Sequence, residues 1–85
     1  MFKVTVKEML YGEKEPVSCK SFDYEDIKSA LETALYYEEM ELQGCTSYSV
    51  SLEELKNGVW SEWHDVEGNK LKDYTLWNGK IMLME

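Results

Sequence analysis

Arginine is absent from this 85-residue chain, whose nine basic residues are all lysine. The planar fork that grips phosphate or guanine bidentately is therefore missing. Seventeen acids leave a formal net charge of −8, and that field opposes direct contact with nucleic acid. Histidine occurs once, as His64, and Cys19 and Cys45 are the only cysteines. Their spacing makes no metal site, and nothing in the pattern brings a Cys–His dyad together. The chain has no Gly-rich phosphate loop and no serine in a nucleophile elbow. No apolar run approaches a membrane span and no signal-like apolar block opens the chain, which predicts a cytoplasmic protein. The carboxylates fall on exposed patterns, where nothing lifts one toward general-acid duty. The expectation is a non-enzyme with no cofactor and no metal.

What is present predicts a folded domain. Hydrophobic residues make up 44% and aromatic residues 13%, enough for one small core spanning residues 1–85 despite the charge. Phe2, Val4 and Val6 alternate with Lys3, Thr5 and Lys7, the pattern of a half-buried strand. A polar turn with the single proline, Pro16, leads to a second strand over residues 17–22, with Val17 and Cys19 on one face. One long helix is predicted over residues 23–43. Asp23 is its expected N-cap, and Asp26 three residues on completes part of a capping box. Tyr24, Ile27, Leu31, Ala34 and Leu35 recur at helical spacing, with Ala30 and Tyr37 on the shoulders and Gly44 as the stop. Cys19 and Cys45 then sit too far apart for a disulfide and are expected as free thiols.

After the helix, Tyr48, Val50 and Leu52 mark a third strand. Two patterns compete over residues 51–56. Ser51 followed by Glu54 suits a capped helical turn, while Asn57-Gly58 suits a type I′ hairpin. The hairpin is favoured, and it fixes a register in which Lys56 faces Val59, Leu55 faces Trp60, Glu53 faces Glu62 and Leu52 faces Trp63. Residues 65–70 read as a hydrophilic turn with only a superficial likeness to a calcium loop. Asn78-Gly79 joins a last hairpin, residues 71–77 with 80–84. The predicted fold class is α+β: an antiparallel sheet of four to six strands, covered on one face by a single long helix (ββαββ followed by a C-terminal hairpin). The expected strand order is 2-1-3-4, with the last hairpin extending the edge.

Charge and shape, rather than any motif, suggest function. Glu25, Glu32 and Glu39 recur every seven residues along the outer helix stripe, with Glu38 and Glu41 crowding the C-terminal end. Glu38 falls inside the apolar arc, so either the last turn overhangs the sheet edge or the carboxylates cluster for a basic partner. On the sheet face away from the helix, Glu53 and Glu62 oppose each other beside an outward Trp60–Leu55 pair. Trp60 is the candidate anchor there unless Trp77, Met82 and Met84 fold across it. These residues suggest an interaction or regulatory protein that meets a basic protein partner, with mimicry of nucleic acid toward a nucleic-acid-binding enzyme as its specific form. A module stacking rings on Trp60, Trp63 or Trp77 is the alternative. A homodimer or larger structural assembly through the apolar C-terminal strand is a third reading.

Overall fold

The computed structural model describes residues 1–10, 12, 14–39 and 46–84, with the side chains of residues 46 and 47 left aside. The elements run β1 (Phe2–Leu10), β2 (Ser18–Tyr24), α1 (Ile27–Glu39), β3 (Thr46–Lys56), β4 (Val59–Glu62), β5 (Tyr74–Trp77) and β6 (Lys80–Leu83). A short 3-10 turn, Leu71–Asp73, precedes β5. The fold is α+β, with an antiparallel sheet in the order β2-β1-β3-β4. The alternation in β1 sends Val4 and Val6 into the core, and the paired register adds Leu52 and half-buried Tyr48 and Val50 on the same side. Ala30, Leu31, Ala34 and Leu35 of α1 close over them. Two alanines on the buried face bring the helix axis close to the sheet, consistent with a molecule only 18 Å thick in its short dimension.

Both Asn-Gly pairs form the expected turns. Asn57 and Gly58 have φ of 51° and 77°, and Asn78 and Gly79 have 49° and 76°, the left-handed pair that a type I′ turn requires. The β3–β4 register is the predicted one, and the Trp63 amide donates to the Leu52 carbonyl at 3.0 Å. Residues 51–56 are strand, so the helical-turn alternative fails.

The helix begins later than the sequence suggests. Asp23 and Tyr24 are the last residues of β2, paired with Lys3 and Phe2. Asp26 is the cap instead: the Ser29 amide and hydroxyl donate to its Oδ2 at 3.1 and 2.9 Å. Ser29 holds the Asp26 carboxyl below the usual carboxylate range, chiefly through that hydroxyl. Phe22 and Tyr24 face the helix, whereas Val17 and Cys19, which share the other face, are exposed. Phe22 stacks on Tyr37 at 5.9 Å, and the Tyr24 hydroxyl meets Thr33 Oγ1 at 2.6 Å. The stretch 40–45, with Glu41, the Gly44 stop and Cys45, lies outside the described residues.

The C-terminal hairpin does not extend the sheet. β5 and β6 form a separate two-stranded sheet against α1, on the face that the helix already occupies. The thirteen-residue helix is only about 20 Å long and does not reach across the inner face of β4. Leu71 belongs to the core and Tyr74, Leu76 and Ile81 pack against it, with the Tyr74 ring 5.7 Å from that of buried Trp63, while Val59 of β4 stays exposed. Trp77, Met82 and Met84 stay exposed and do not cross the opposite sheet face. β4 pairs only with residues 53–56 of β3. The first half of β3 therefore has β1 on one side and, among the described residues, no strand on the other.

Candidate protein-interaction surface

The acidic residues fall on different sides of the molecule. Glu32 and Glu39 lie exposed on the outer side of α1, and Glu25 sits at the bend before it. Neither Glu32 nor Glu39 makes an ion pair with a described lysine, whereas Lys56 pairs with Glu54 and Lys70 with Glu62. Glu38 is half-buried and lines a cleft of about 460 Å³ with Val50, Leu52, Glu53, Glu62, Lys70 and Lys72. Its placement follows the i, i+4 rows of the helix, which turn Glu38 toward the sheet with Ala34 and Leu35.

The open sheet face carries Glu53, Trp60 and Glu62 together, on the side opposite the helix stripe. Glu53 and Glu62 are direct cross-strand partners, a repulsive arrangement in isolation. Lysines relieve it from both sides. Lys70 Nζ lies 2.9 Å from Glu62, and this carboxylate holds the Lys70 ammonium above its ordinary pKa. Lys3 sits across β1 between Asp23 and Glu53, with its Nζ 4.3 Å from the centre of the Trp60 ring. Trp60 is thereby covered on one side by a cation, while Leu55 beside it stays exposed. Of the other tryptophans, Trp63 is in the core and Trp77 is 67% exposed on the hairpin. Sequence reasoning placed the two opposed glutamates correctly but missed both lysine partners, because they come from β1 and from the loop after His64.

No family model matches this chain, and neither does any curated protein or solved structure compared with it.

Two chemical readings can be placed on the fold. Cys19 is on β2 and His64 follows β4, at opposite edges of the sheet. Three strand spacings of about 4.8 Å separate them, so they form no dyad. Residues 65–70 are built around Asp65. Its Oδ1 accepts from the amides of Glu67 (2.9 Å) and Asn69 (2.8 Å), and its Oδ2 from Asn69 Nδ2 (3.0 Å) and the Tyr74 hydroxyl (2.5 Å). Both oxygens are occupied by the protein's own donors, which makes the carboxylate a staple between loop and hairpin.

That staple sets a pH window. The Tyr74 hydrogen bond, supported by those from Asn69 and Glu67, holds the Asp65 carboxyl down at about 2, from an ordinary 3.8. The same bond, with burial and the nearby carboxylate charge, pushes the Tyr74 hydroxyl up to about 12 from 10.0. A depressed acid stabilises the fold above its unfolded pKa and loses that contribution as pH falls through its folded one. A raised phenol does so below its unfolded pKa and loses it as pH rises. The contact is therefore at full strength between about pH 4 and pH 10 and fades on either side. In denaturant titrations across pH, Tyr74→Phe should flatten the alkaline decline and shrink the acid one; an unchanged alkaline limb would show that the bond does not form.

Proposed function

We propose that this is a small non-enzymatic interaction protein whose outer helix stripe docks on a basic surface of a protein partner. The observation that carries the reading is the exposure of Glu32 and Glu39, one helix side apart from the lysines that balance the sheet face. The Glu39 carboxylate also stands at the C-terminal end of α1, where the helix dipole disfavours it, so a cationic partner there relieves that cost as well. Duplex mimicry is the less favoured form. Carboxylates seven residues apart on a helix are about 10.5 Å apart, against one charge per roughly 1.7 Å along duplex DNA.

Charge reversal tests the reading. Affinity capture from the native host, with the wild-type chain and with Glu32→Lys/Glu39→Lys side by side, should retain the partner only on the wild type at low salt. Direct titration should show binding weakened by about tenfold or more in the variant, and by raised salt in the wild type. Equal binding by both proteins would refute the helix stripe as the contact.

A further inference from the structure

We propose that the unpaired half of β3 is a self-association edge, at which a second copy of this chain adds antiparallel across a two-fold axis through Ser49. Hydrogen-bonding groups alternate sides along an antiparallel strand. The Leu52 carbonyl points to the β4 side, where it accepts from Trp63, and the Leu55 amide points to the β1 side, where it donates to the Met1 carbonyl. The backbone groups of Val50 and Tyr48, two and four residues before Leu52, therefore face the edge beyond β4, beside the cleft that Lys70 and Lys72 also line. Among the described residues no strand pairs there. An open row of this kind is a template for another strand unless charge, proline or brevity blocks it.

The other edges are blocked in those ways. β2 carries Lys20 and Asp23 and is preceded by Pro16, while β4, β5 and β6 are each four residues long, with Glu62 on β4 and Lys80 on β6. Residues 46–51 hold no charge, no glycine and no proline, in a chain with a net charge of −8. They are also self-complementary. A two-fold through Ser49 sets Tyr48 opposite Val50 of the second copy, and Val50 opposite its Tyr48, in reciprocal hydrogen-bonded pairs on the helix side of the sheet. Ser49 meets Ser49 of the other copy on the open face, so no carboxylate faces a carboxylate. A one-residue slip would mismatch the outward backbone groups, which excludes that register. The pairing ends where Trp63 already occupies the Leu52 carbonyl. Two sheets of four strands become one continuous sheet, with helices and hairpins on one side.

Two bodies of like charge associate against their mutual field, so this dimer tightens as salt rises. Binding to a basic partner weakens under the same change, so failure of either reading is separable from failure of the other. The test is sedimentation of the whole chain at high micromolar concentration in low and high salt, together with disulfide capture. Opposed non-hydrogen-bonded residues have Cα atoms about 4.5 Å apart, within disulfide reach. In a background with Cys19→Ser and Cys45→Ser, Ser49→Cys should form a covalent dimer on mild oxidation, and Met82→Cys on the hairpin should not. Ser49→Lys, an exposed substitution that sets like charges together at the axis, should weaken the dimer by about tenfold. A chain that stays monomeric in high salt overturns the proposal, as does Ser49→Cys captured no better than Met82→Cys. A dimer captured through the hairpin cysteine instead would place the contact at β6 and equally overturn it.

Discussion

Trp63→Ala should remove about 3–5 kcal/mol of stability, the cost of deleting a buried indole that its neighbours cannot refill. Trp63 is 7% exposed and joins three parts of the molecule: its amide donates to Leu52 in the middle of β3, its ring packs on Tyr74, and the Asp65 loop starts two residues later. A domain of this length has only about 4–13 kcal/mol in total. The variant should therefore be partly unfolded at room temperature, and the hairpin should detach first, because Trp63 and α1 are what it rests on. Urea unfolding gives the total, and hydrogen exchange at β5 and β6 gives the order. Trp63→Phe keeps most of the volume and should fall between the two. A midpoint shift in Trp63→Ala of under about 1 kcal/mol would mean that the indole is not part of the core.

Overfilling the helix–sheet contact should cost less, though still a large share of the total. Ala34 has no exposed surface and, with Ala30 four residues earlier, lets α1 sit down on Val4 and Val6. Ala34→Leu adds three carbons where no room exists, and the helix must lift or its neighbours leave their rotamers, at about 1–3 kcal/mol. Melting should drop by about 4–8 °C for each kcal/mol in a domain of this size. Leucine is nearly as good a helix former as alanine, so intrinsic propensity accounts for little of the loss. An unchanged or raised melting temperature would show that the two layers are not in close contact at Ala34.

Much of this architecture is legible in the residues because local chemistry and the overall fold agree. Each Asn-Gly pair demands one turn type, that turn fixes one register, and the register places Glu53 opposite Glu62 without further information. The strand order follows from a hairpin and a helical crossover. The helix start is legible only in part, because Asp23 and Asp26 are both good caps by type. What separates them is that Phe2 pairs with Tyr24, a contact across twenty-two positions that no local window contains. Which face of β2 is inside is not legible, for a related reason. Val17 and Phe22 sit on opposite faces of the strand, and the partner decides which is inside. The position of the last hairpin is not encoded by its alternation, since a two-residue period states that one face is covered but not by what. The candidate surface shows the same divide: its glutamates are countable in the sequence, while the pairing of Lys70 with Glu62 depends on a loop that doubles back at Asp65.

The central place of β1 has a consequence for how the chain is made. It is synthesised before both of its neighbours, and one of them, β3, lies beyond the helix and follows about forty-five residues later. Until then Val4 and Val6 have only a two-stranded ribbon beneath them, too little to hold on its own. The nascent chain must carry exposed apolar surface until β3 emerges, and closure across so long a loop makes folding slow for a molecule of this size.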